Sequence, residues 1–169
     1  GITGTNSDIL AIDFIDDNII VANYHTLQIF DRRLNHLRDV SHPQMVGLHE
    51  IRSNNKDQIF VCSTTIDAVL GINISTSEAI QQYWPREMSD FQSSLNITPL
   101  QIDKHLDNRV RFLEEKHVRH SSHLHLNAVA LWGGEIYALF NAVGVIANLD
   151  RSEIVIQDKT LTHAHNLLI

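Results

Sequence analysis

Three passes of four short strand patterns, recurring with a period near 40 residues, predict an all-β chain. The architecture they imply is a β-propeller segment of about three four-stranded blades, the first strand of a fourth, and a helical insertion. The clearest unit is the stretch at residues 123–144, HLHLNAVALWGGEIYALFNAVG, which reads as two strands joined at Gly133-Gly134. Glycine at both turn positions permits positive φ, as a two-residue hairpin requires. The spacing of equivalent residues supplies the second observation. Ile19, Ile59 and Ile136 fall in one column, 40 and 77 residues apart, and Asp31, Asn73 and Asp150 in another, 42 and 77 apart. First strands registered at Leu10, His49, Asn127 and His165 are separated by 39, 78 and 38 residues. The long interval is one period plus an insertion of similar length. An all-β sandwich with evenly spaced strands is the competing architecture.

In order, the first blade (about 8–41) contains DILAIDFIDD, NIIVANY, TLQIFDRR and LNHLRDVS. Each is rich in β-branched or aromatic residues and bounded by polar turns. The second (about 44–84) contains MVGLHEIRS, QIFVCST, DAVLGINIS and EAIQQYW, and the third (about 123–158) HLNAVALW, EIYALFN, VGVIANLD and SEIVIQD. A fourth begins over residues 162–169. Three blades plus one strand fall short of the usual four to eight. That count predicts a segment of a longer propeller or, less favoured, a chain that closes its ring by self-association through unpaired edges.

The insertion at residues 85–122 differs in character. Leu106, Val110 and Leu113 recur at i, i+4 and i+7, predicting a helix over about 103–117 with Asp103 as its cap and a mixed-charge solvated face. The insertion joins a fourth strand to a first, so it emerges on the face where first strands begin, placed to form a lid or wall over the channel mouth.

Composition removes whole classes. A net charge of −7 and a pI near 5.8 oppose nucleic acid or an anionic membrane as partner, since both demand clustered Lys and Arg. No run of 18 apolar residues and no signal-peptide pattern occurs, and the lone cysteine, Cys62, reads as a small core residue; the expectation is a soluble chain with a cytoplasmic setting. GxSxG, the phosphate loop, the dinucleotide fingerprint and CxxC pairs are all missing.

Candidate functional residues follow from position. First strands are innermost in a propeller and line the central channel, so polar groups at their starts need an explanation. His49, Glu50, His125, Asn127, His163 and His165 are the candidate ligand-binding set. Of these, His49, His125 and His165 are candidate ligands for a divalent metal ion, because several neutral imidazoles converging on an axis suit one, with Asn127 or Glu50 orienting ligand or water. The competing reading is a wet channel mouth with no ligand. The His117, His120, His123 and His125 tract resembles a metal tract in composition, but its spacing fits no tetrahedral site and reads as a solvated linker. From a different class, a protein-interaction scaffold without catalytic activity predicts an exposed apolar patch of Trp84, Phe91, Leu106 and Phe112.

The segment His125-Leu126-Asn127-Ala128-Val129-Ala130, followed by a short turn and EIYALF, resembles the repeat start of an uncharacterised propeller family with a His-Leu-Asn-Gly-Leu-Ala type motif, broadly similar to NHL and gluconolactonase-like propellers. Ala128 stands where that motif has glycine. The resemblance implies the fold and a site at the channel mouth, with no established reaction.

Overall fold

The fold is that of a computed structural model, which describes residues 9–114, with side chains to 112, and residues 124–168. Among the described residues, twelve strands form three separate four-stranded antiparallel sheets, each in sequential order. The first holds β1 (Ala11–Ile15), β2 (Asn18–Ala22), β3 (Leu27–Phe30) and β4 (His36–Val40). The second holds β5 (Leu48–Ser53), β6 (Gln58–Ser63), β7 (Ala68–Asn73) and β8 (Ala79–Tyr83). The third holds β9 (Leu126–Trp132), β10 (Glu135–Phe140), β11 (Val145–Asn148) and β12 (Glu153–Gln157). Sequence alternation places all twelve. The Gly133-Gly134 hairpin closes on the Trp132–Glu135 pair with both glycines at positive φ, 60° and 85°.

The middle sheet shows how packing follows from a period of two. Every residue of β6 is buried. Ile59 and Val61 enter the cluster shared with the first blade, whereas Phe60 and Cys62 enter the cluster shared with the third. A strand covered on both faces therefore reads as a continuous apolar run, and Cys62 is a core residue of the second interface. The Ile19, Ile59, Ile136 column marks one face type: Ile59 packs toward the first blade and Ile136 toward the second. Ile19 stands on the face of blade one that no described residue covers.

Two expectations are corrected. Residues 162–168 carry no strand; after a 3-10 turn at Lys159–Leu161 they run irregularly, with Leu167 buried in a small cluster on the outer face of blade three. A strand exists through its ladder, and among the described residues none lies beside this segment to complete one. Among the described residues the insertion forms two short α-helices, α1 (Ser89–Leu95) and α2 (Asn108–Glu114), so the expected helix does not begin at 103, and its residues 115–117 lie outside the described residues. Asp103 does not cap α2. Its carboxylate accepts from the His105 amide, and Asp107 receives the Arg109 amide at the helix start. The i, i+4 pair Phe91 and Leu95 was the available signal for α1. Among the described residues, no helix is long and apolar enough to cross a membrane.

The insertion packs against the end of the blades where first strands begin. The Asn108 amide donates to Pro43 O at 3.0 Å, and the Gln44 side chain donates to the carbonyls of Lys104 and Leu106. Phe112 fills the core between blades one and two, Phe91 that between two and three, each contributing about 1.5–3 kcal/mol of burial. Trp84 is buried as well, so of the expected exposed patch only Leu106 faces solvent. Phe91 and Phe112 of the insertion serve as covers for the blade cores.

Candidate axial site

The starts of the inner strands share a backbone geometry that the sequence does not display. Gly47, His125 and His163, each two residues before a candidate polar residue, all lie in the left-handed region, at φ 60°, 48° and 69°. Gly47 O accepts from the Thr64 amide and His125 O from the Asn141 amide, which makes Gly47 and His125 equivalent. The carbonyl of the next residue is then clasped across blades: Thr64 Oγ1 donates to Leu126 O at 2.6 Å, and Asn141 Nδ2 to Ala164 O at 2.6 Å. Although residues 162–168 form no strand, they dock on blade three through the contact that blade three makes with blade two.

Just beyond these starts both inner strands bulge. The β5–β6 register slips between Leu48 and Ile51, and the β9–β10 register slips between Leu126 and Ala128. A bulge places one extra residue in a strand and re-aims its side chain. The residues at the slips are His49 with Glu50, and Asn127. They line one cleft of about 260 Å³ together with Leu10, Ile12, Arg52 and His165.

The cleft contains an imbalance of donors and acceptors. Arg52 Nη2 donates to Glu50 Oε1 at 2.6 Å; the Val129 and Leu167 backbone amides act on the carboxylate, but among the described residues none meets the buried Oε2 at hydrogen-bond geometry. Asn127 is 1% exposed; its Nδ2 donates to Ala164 O at 3.3 Å and meets His165 Nδ1 at 3.4 Å, and its Oδ1 has no partner. Turning the amide over would set Oδ1 against the Ala164 carbonyl, so the orphan oxygen is fixed by that bond. Burial lifts the Glu50 carboxyl above its ordinary value, against the pull of Arg52 and of the Val129 and Leu167 backbone amides. The His49 and His125 rings meet edge to face, with centroids 5.3 Å apart. Burial, joined for His49 by the neighbouring imidazoles of His125 and His165, lowers the pKa of each, so both are neutral at pH 7.

The structure thus brings His49, Glu50, Asn127 and the exposed His165 to one cleft, packs His125 against His49, and leaves His163 outside the lining. Among the described residues no group of three His, Cys, Asp or Glu side chains is arranged to hold a metal ion. His117, His120 and His123 lie outside the described residues. None of the described residues of the insertion lines the cleft, so the expected lid is not formed by them. Arg52 was not foreseen; it lies two residues beyond Glu50 in the same strand, and the period of two was its signal.

A second polar centre holds blade three in place. Asp67, fully buried, accepts from the Leu124 and Leu126 amides at 3.2 and 3.3 Å and lies 3.6 Å from the buried Arg86 guanidinium. Arg86 in turn donates to Thr98 O, tying the insertion to the start of β9.

No family model matches the sequence, and no curated protein matches it. Among solved structures, the chain superposes on the Neurospora crassa Pan2 WD40 domain with a TM-score of 0.52 at 14% identity, covering 89% of this chain and 36% of that one. It superposes on the computationally designed Ika4 protein with a TM-score of 0.51 at 12% identity, over 100% of this chain and 84% of that one. For the designed Ika8 protein the values are 0.52 and 11%, over 99% and 42%. Similarity at this level establishes the fold, and WD40 domains are propellers of four-stranded blades.

Proposed function

We propose that the axial cleft binds a small polar ligand that supplies hydrogen-bond donors. The observation that carries this reading is the pair of buried acceptors without hydrogen-bond partners among the described residues, Glu50 Oε2 and Asn127 Oδ1, on two residues that line one cleft. Each costs about 1–3 kcal/mol while unsatisfied. Both sit at bulges of inner strands, where a fold that needed only a packed core would place apolar residues. The resemblance of residues 125–130 to the repeat start of an uncharacterised propeller family with a His-Leu-Asn-Gly-Leu-Ala type motif points to the same end of the channel. Backbone amide NMR with a panel of small polyols and amines tests the reading. Shifts concentrated at residues 10–12, 49–52, 127 and 165–166 support it; a panel without response there refutes it.

A second reading rests on a different surface. Ile12 and Phe14, 54% and 59% exposed, alternate along β1 on the face that also carries Ile19. In blades two and three the equivalent face receives the preceding blade. At the other end Trp132, 59% exposed, stands on the opposite face type. Blade one of one copy meets the part of blade three that residues 162–168 leave open on another, so the chain acts as an association module as well. Light scattering measures this directly: oligomers dispersed by Phe14→Glu agree with it, and a monomer at high concentration does not.

A further inference from the structure

We infer that the ligand of the axial cleft is a compact cation bearing several N–H donors, a primary amine of no more than about nine non-hydrogen atoms. The inference rests on the reading of the cleft as a binding site and narrows it to one chemistry. Size follows from the cavity: about 260 Å³ holds roughly nine groups of water size, each taking about 30 Å³.

Charge follows from the groups around Glu50. Asp13 on β1 acts on it as a second negative charge, and Arg52 on its own strand as the one positive charge. His49 contributes none, because burial and its ring neighbours hold it neutral. Glu50, Asp13 and Arg52 therefore sum to one uncompensated negative charge. An anion would meet Glu50 and Asp13 with only Arg52 to receive it, and Arg52 is already committed to Glu50 Oε1.

Hydrogen-bonding capacity separates amine from alcohol. The two unfilled positions, Glu50 Oε2 and Asn127 Oδ1, are both acceptors. An ammonium group has three donors and no acceptor, so it can fill both without leaving a lone pair of its own in the cavity. Its bond to the carboxylate is charge-assisted, about twice as strong as a neutral one. A hydroxyl has one donor and satisfies one oxygen at a time.

Three probes of equal chain length separate these chemistries: 4-amino-1-butanol, 1,4-butanediol and 4-hydroxybutyrate, titrated into the chain and followed by NMR at pH 7, with Zn²⁺ as a fourth. The amine is expected to bind at least tenfold more tightly than the diol, with no response to 4-hydroxybutyrate. Glu50→Gln is expected to abolish that tenfold preference while its circular dichroism matches the parent. Equal or tighter binding of the diol overturns the amine assignment and leaves the binding site standing. Zn²⁺ bound stoichiometrically and displacing the amine also overturns it, in favour of a metal ion held by the imidazoles. Silence from all four probes in a folded chain refutes the binding site itself.

Discussion

Replacing Asn127 by leucine should stabilise the ligand-free protein, although Asn127 is buried and hydrogen-bonded. The side chain is 1% exposed and carries one oxygen with no partner, a cost of about 1–3 kcal/mol that leucine removes. What leucine forfeits is weak: contacts of 3.3 and 3.4 Å from Nδ2, together worth about 0.5–1.5 kcal/mol. No new orphan appears, because Ala164 O keeps the 2.6 Å bond from Asn141. The net expectation is a gain of about 1 kcal/mol, or roughly 2–4 °C in Tm for a domain of this size. Urea unfolding, read as a shift in midpoint at constant m-value, measures it. Asn141→Leu is the control, since that side chain makes the short bond and should lose about 1 kcal/mol. A midpoint for Asn127→Leu below that of the parent would mean that Oδ1 is satisfied in the protein, and the reasoning from orphan acceptors would fall. Stabilisation combined with loss of ligand is the expected signature of a binding residue.

Other outcomes follow from the same geometry. Asp67→Ala removes the carboxylate beside a buried guanidinium and the acceptor of two backbone amides, and should cost about 3–5 kcal/mol in urea unfolding; a loss below about 1 kcal/mol would show that blade three docks by apolar packing alone. At Gly47, φ is +60° and an added Cβ would lie 2.0 Å from Thr65 Oγ1, so Gly47→Ala should cost more than the about 1–2 kcal/mol of left-handed strain. A neutral effect on the midpoint would contradict the close approach of those loops. The pKa values of His49 and His125 are depressed in the folded state, so the unfolded chain binds protons first. Their contribution to stability is therefore complete above 6.5 and declines as pH falls through that value toward the folded pKa. Glu50, with its pKa raised above 4.5, acts with opposite sign at lower pH, where the folded state takes up its proton first. The double variant His49→Gln, His125→Gln should flatten the dependence between pH 7 and 5; an unchanged slope would place the titration elsewhere.

The blades were legible because hairpins and alternation are local. Asp16, at φ 51°, forms a two-residue turn with Asp17, and Gly133-Gly134 another, so strand ends could be read from a few residues. The Ile19, Ile59, Ile136 column was legible because each blade must present the same face to its neighbour. His49, Glu50, Asn127 and His165 were legible as polar residues at the starts of apolar strands. The bulges that aim them were not, because a register slip depends on the partner strand and leaves no mark in the strand's own pattern. The C-terminal segment misled for a related reason: its composition repeats a first strand, yet a strand also requires a ladder partner. Trp84, Phe91 and Phe112 looked like an exposed patch because the sequence around them is polar, and their burial depends on open ends of blades far away in the chain.

A high-resolution crystal structure of the protein purified without added ligand, or soaked with 4-amino-1-butanol, tests the central claim most directly. The account predicts density in the cleft within hydrogen-bonding distance of both Glu50 Oε2 and Asn127 Oδ1. Both oxygens bonded to protein donors, with the cleft closed over them, would contradict it.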